Sequence, residues 1–166
     1  MNKYELLKEI KEILIKNNLV ISSAESCTGG LLSSYLTDID GASKYVLQNF
    51  VTYSNEAKNK ILNVSNETLN KYGAVSSETA REMALGLLKY ADCSIATTGI
   101  LGPTGGSKEK PIGLVYIGLA LKGKLQVVKY ISPVANTNNR YNIKVDIVEY
   151  ALWELLNFLK ENLDEE

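Results

Sequence analysis

Apolar positions set the rhythm of the chain before any single residue draws notice. Leu6, Leu7, Ile10, Ile13 and Leu14 recur at three- and four-residue steps. This spacing predicts an amphipathic helix over roughly residues 2–17, ended by Asn17-Asn18. A short apolar run, Leu19 to Ala24, reads as a buried strand. Thr28 or Cys27 then opens a second helix, with Leu31, Leu32, Tyr35 and Leu36 inward. After a polar turn, Tyr45 to Tyr53 is dense in Val, Phe, Leu and Thr and reads as a second strand. Ser54-Asn55, then Ser65 or Asn66, then Ser76 are helix-starting residues. The third of these helices is the clearest, with Ala80, Met83, Ala84, Leu87, Leu88 and Ala91 along one side. Cys93 to Thr98 is a third strand, followed by a glycine-rich loop from Gly99 to Ser107. Gly113–Leu121 and Leu125–Ser132 are two strands joined by Lys122-Gly123-Lys124. That link is too short for a crossover, so the pair must be an antiparallel hairpin. Arg140 to about Leu163 is the last helix, and the acidic residues after it read as a frayed end.

Helices therefore alternate with strands, and one hairpin closes the sheet. The expected fold is α/β: a three-layer α/β/α sandwich with a mixed five-stranded sheet, one strand antiparallel through the C-terminal hairpin. With 166 residues, a single domain over 1–166 is expected. The net charge of −1 supplies no basic field for nucleic acid. No apolar run approaches the ~18 residues of a membrane span, and the N-terminus lacks a signal peptide's apolar core. Two unpaired-looking cysteines, Cys27 and Cys93, fit a reducing cytoplasm.

The most restrictive count is that of histidine, which is zero. Ser-His-Asp and Cys-His catalysis and imidazole metal sites are thereby excluded. A hydroxyl in this chain can be activated only by Lys, Tyr, a carboxylate or water. The turn Ala24-Glu25-Ser26-Cys27-Thr28-Gly29-Gly30 lies between the first strand and the second helix. It belongs at the carboxyl edge of the sheet, where open α/β folds bind ligands. Ser26 is the leading nucleophile there and Cys27 the rival. Tyr53 ends the second strand, and Lys58 follows one helical turn later. If the two strands are parallel neighbours, Ser26, Tyr53 and Lys58 share one cleft. A desolvated Lys can act as base, with a Tyr hydroxyl relaying the proton or holding the Ser oxygen. Each of these residues also has an ordinary use, as a helix cap or on the surface. The loop after Thr98 offers glycine-freed amides to an anion or oxyanion but matches no Walker or dinucleotide pattern. Arg140 stands in the first turn of the last helix, where the dipole disfavours a cation and a bound anion would reverse that.

These residues form motifs that resemble the CinA C-terminal domain family. The resemblance rests on Ala24 to Gly30, Tyr53 to Lys58, Gly73 to Ser76, Thr98 to Pro103, Gly105-Gly106 and Lys110 to Tyr116, and runs from about Leu6 to Leu159. Leu101 and Thr104 replace the family's usual Ala and Gly. The resemblance implies a nicotinamide-nucleotide amidase that hydrolyses nicotinamide mononucleotide to nicotinate mononucleotide and ammonia. It implies Ser26, Tyr53 and Lys58 as catalytic residues. Cys27, Thr28, Gly29, Gly30, Thr98, Gly99, Thr104, Gly105, Gly106 and Arg140 would bind the substrate. No metal or cofactor is expected, and a homo-oligomer is. Many members carry an N-terminal molybdopterin-binding-like domain; this chain has no room for one and resembles the stand-alone form. Two other readings stay open: a nucleotide-binding or partner-docking module without turnover, and a Ser-Lys amidase acting on another amide.

Overall fold

A computed structural model describes residues 1–163; the acidic end expected to fray lies outside the described residues. Five strands form one sheet in the order β2-β1-β3-β4-β5. They are β1 (Ile21–Glu25), β2 (Val46–Val51), β3 (Cys93–Gly99), β4 (Leu114–Leu121) and β5 (Lys124–Ile131). β1 lies between β2 and β3 and runs parallel to both. β4 is antiparallel to β3 and to β5, so it is the one strand of reversed direction. The mixed sheet and the hairpin expected from the short Lys122-Gly123-Lys124 link are both present; the link is one residue shorter than expected, because Lys124 already pairs with Leu121.

Six helices cover the sheet: α1 (Lys3–Lys16), α2 (Leu31–Leu36), α3 (Asn55–Leu62), α4 (Asn66–Tyr72), α5 (Ser77–Leu87) and α6 (Arg140–Asn162). α1, α2 and α6 pack together on one face, around Leu7, Ile10, Leu14, Leu32, Ile147 and Leu155. α3, α4 and α5 cover the other face, around Leu62, Leu69, Met83 and Leu87. Burying one such side chain contributes about 1.5–3 kcal/mol. The surface pair Lys160–Glu9 across the α1–α6 seam contributes at most about 1 kcal/mol. Apolar burial therefore sets the layer order, and charge decorates it.

The helix starts follow local chemistry. Ser54, Ser65 and Ser76 each accept a hydrogen bond from the amide three residues on, as N-caps do. α2 departs from expectation. It begins at Leu31, not at Cys27 or Thr28, because Gly30 at its N-cap has φ 107°, in the left-handed region. The four residues before Leu31 instead form a tight turn at the carboxyl end of β1.

Candidate active site

The parallel pairing of β1 with β2 brings the ends of both strands to one edge, with Glu25 beside Val51. Ser26 leaves β1 there, and its amide donates to the Thr97 carbonyl of β3 at 3.1 Å. α3 begins directly after β2 and turns Lys58 inward. The Lys58 side chain is only 1% exposed. Its Nζ donates to Ser26 Oγ at 3.1 Å and to the Tyr53 carbonyl at 3.1 Å. Ser26 Oγ in turn lies 3.4 Å from the same carbonyl. Among the described residues no carboxylate pairs with Lys58. Burial lowers its pKa from 10.5 to about 8, because the charged form loses hydration that two neutral oxygens replace only in part.

Tyr53 joins Ser26 and Lys58 through its main chain. Its side chain is exposed and lines the cleft mouth, and the atom that touches both partners is the carbonyl oxygen. The expected hydroxyl relay is therefore replaced here by a carbonyl that aims the amine. Cys27 is buried, and desolvation first, then the charge of Glu25, pushes its thiol up to about 12. Such a thiol stays protonated near neutral pH.

Glu25 fills the start of α2 from inside the protein. Its fully buried carboxylate accepts from the amides of Gly30, Leu32 and Ser33 at 3.2, 2.7 and 2.9 Å. It also accepts from the hydroxyls of Thr28 and Ser33, both at 2.6 Å. The N-terminus of α2 thus holds an internal anion and is closed to an external one. Gly29 donates its amide to the Ser26 carbonyl. The donors of the turn that remain are the amides of Cys27 and Thr28.

Two further residues sit differently from the sequence reading. Thr98 is buried, and its hydroxyl donates to the Ala74 carbonyl at 2.7 Å, away from the cleft. Neighbouring strand residues face opposite sides; Thr97 is the one turned toward the Ser26 side, 2.9 Å from Thr28 Oγ1. Gly106 lines the adjoining groove beside Pro103, Ile112 and Asn138, not the cleft itself. The cleft, about 260 Å3, is lined by Ser26, Cys27, Tyr53, Gly99, Thr104 and Arg140 among others, with Gly105 at its rim. Arg140 opens α6 and donates to the Gly102 carbonyl at 2.6 Å, which ties α6 to the glycine-rich loop. Lys144 escaped the sequence reading. It follows Arg140 by one helical turn, and a Cβ added to Gly29 would lie 3.4 Å from its Nζ. The i, i+4 spacing of two cations was the available signal.

The arrangement is a hydroxyl in contact with a buried, easily deprotonated amine, with the amides of Cys27 and Thr28 on the same turn and Arg140 lining the cleft. It has the parts for nucleophilic attack on a carbonyl carbon. The chain matches the CinA C-terminal domain family over residues 3–159. It is 49% identical to a CinA-like protein of Chlorobium chlorochromatii over 154 residues, which are 92% of this chain and 36% of that protein. A crystal structure of the competence damage-inducible protein A from Klebsiella pneumoniae superposes with a TM-score of 0.90 at 32% identity, covering 98% of this chain and 100% of that one. A competence/damage inducible protein of Agrobacterium tumefaciens gives 0.87 at 41% identity, covering 95% and 94%. The chain spans about a third of the length of the curated relatives it matches. By sequence and by fold, the chain belongs to the CinA C-terminal domain family.

Proposed function

We propose that the chain is a serine amidohydrolase acting on the carboxamide of nicotinamide mononucleotide. The reading is carried by one observation, the 3.1 Å contact between Ser26 Oγ and the buried Nζ of Lys58. With a pKa of about 8, roughly a tenth of Lys58 is neutral at pH 7. An unshifted lysine would be neutral about once in three thousand. In the neutral form the contact reverses: Ser26 donates its proton to Nζ while the Tyr53 carbonyl holds the amine in place. Ser26 Oγ attacks the carboxamide carbon. The amides of Cys27 and Thr28 face the developing oxyanion, and one such donor is typically worth about 3 kcal/mol of barrier. The ammonium of Lys58 returns the proton to the departing nitrogen, which leaves as ammonia. Water then attacks the acyl-enzyme, losing its proton to Lys58; the acyl–Oγ bond breaks, Lys58 returns that proton to Ser26 Oγ, and nicotinate mononucleotide is released. Arg140 and the loop at Thr104 and Gly105 meet the substrate's phosphate end. Cys27, protonated up to about 12, is a poor rival nucleophile.

The test is ammonia release from nicotinamide mononucleotide by the purified protein, in EDTA, beside Ser26→Ala. We expect release that Ser26→Ala lowers at least a thousandfold, with kcat/KM rising with pH through about 8 as Lys58 loses its proton. Saturable nucleotide binding without ammonia would instead identify a binding module. Release retained in Ser26→Ala and lost in Cys27→Ala would move the nucleophile by one residue.

A further inference from the structure

We infer that Lys144 is the second arm of a two-cation clamp which, with Arg140, holds the phosphate of the substrate and sets the preference for a phosphorylated carboxamide. The inference rests on the amidase reading for the identity of the carboxamide and on this chain's geometry for the clamp. Lys144 and Arg140 project from the first two turns of α6. Arg140 stands on the Gly102 side of the cleft, through its contact with that carbonyl. Lys144 reaches the turn that carries Ser26, where the absence of a Cβ on Gly29 leaves room for its Nζ. Its charge reaches the thiol of Cys27, next to Ser26.

Neither cation is neutralised. Among the described residues neither forms an ion pair. The nearby carboxylate of Asp146 is taken by the hydroxyls of Tyr130 and Ser132 at 2.8 and 2.6 Å. The rival anion site, the start of α2, is occupied from inside by Glu25. Two unpaired cations near the start of a 23-residue helix match the charge of one phosphate dianion.

The test uses ribose 5-phosphate as a probe that carries the phosphate without the carboxamide. Its binding is measured by calorimetry on Ser26→Ala and on the same protein with Lys144→Met or Lys144→Arg. A charged hydrogen bond implies a loss of about tenfold to a hundredfold in Lys144→Met, with most of the affinity kept in Lys144→Arg. In the otherwise native protein, Lys144→Met should raise KM for nicotinamide mononucleotide far more than it lowers kcat. It should also narrow the preference over nicotinamide riboside by a similar factor. Binding of ribose 5-phosphate unchanged by Lys144→Met, or absent in the parent, overturns the clamp. Lys144-dependent binding with no ammonia from the mononucleotide sustains the clamp and removes the amidase reading. Ammonia release with KM indifferent to Lys144 does the reverse.

Discussion

In the proposed mechanism Lys58 is the base, and its burial also carries a stability cost. Its amine is 1% exposed and its two partners are neutral oxygens. Below pH 8 the amine is charged in both the folded and the unfolded chain, and the folded chain bears the full desolvation penalty. Between about 8 and 10.5 the folded amine is neutral while the unfolded one still holds a proton, so stability rises with pH. Above 10.5 the penalty is gone. The shift amounts to about 3 kcal/mol. Lys58→Met removes it but takes the amine donor from the Tyr53 carbonyl and leaves only the longer Ser26 contact, which returns about 1–2 kcal/mol. We expect Lys58→Met to be inactive yet more stable than the parent by about 1–2 kcal/mol at pH 7. The advantage should shrink or reverse by pH 10.5, as read from urea unfolding at both pH values. An advantage of the same size at both would mean that Lys58 is not desolvated. The candidate residue types were legible from the chain, since without histidine a Ser is left with Lys, Tyr, a carboxylate or water. The role of Tyr53 was not, because sequence patterns speak of side chains and its contact is a main-chain oxygen.

Elements were legible in proportion to how local their causes are. The three Ser caps and the hairpin link depend on neighbours within a few residues, and each appears within one residue of its expected place. The face of Thr98 depends on the register of β3 in the sheet, which one chain's pattern does not encode. The late start of α2 likewise depends on a long side chain reaching forward by five to eight residues. α2 has only six residues, too few to persist by propensity. Glu25 anchors it by satisfying three amides that would otherwise be buried or unpaired. Glu25→Gln preserves the shape but replaces one accepting oxygen with an NH2 group, which faces either the Ser33 amide or those of Gly30 and Leu32 as donor to donor. Each buried unsatisfied group costs about 1–3 kcal/mol, so Glu25→Gln should destabilise the protein by about 2–4 kcal/mol in urea unfolding. Loss of the α2 start would also displace Cys27 and Thr28, so kcat should fall. A variant as stable as the parent would show that water or another acceptor can replace the carboxylate.

At the scale of the whole molecule the cleft is assembled from both sides of the sheet. Lys58 comes from α3 on one face, Arg140 and Lys144 from α6 on the other, and Ser26 from the strand between them. The amine is placed only if α3 is held against α5, and that contact is backbone to backbone. A Cβ on Gly86 would lie 2.1 Å from the Leu62 carbonyl oxygen, at the end of α3, one helical turn after Lys58. Helix propensity favours Gly86→Ala by about 1 kcal/mol. A backbone clash cannot be relieved by a rotamer, and overpacking costs about 1–3 kcal/mol or more. Sterics therefore win, and α3 must shift away from α5. Gly86→Ala should lower the melting temperature by about 2–4 °C for each kcal/mol lost. It should also reduce kcat as Nζ moves from Ser26, while binding of ribose 5-phosphate stays near the parent value because α6 stands on the far face. This split, with chemistry lost and anion binding kept, separates a displaced helix from general unfolding, which would abolish both. Equal loss of both at a temperature where the variant is folded would mean that the two faces move together.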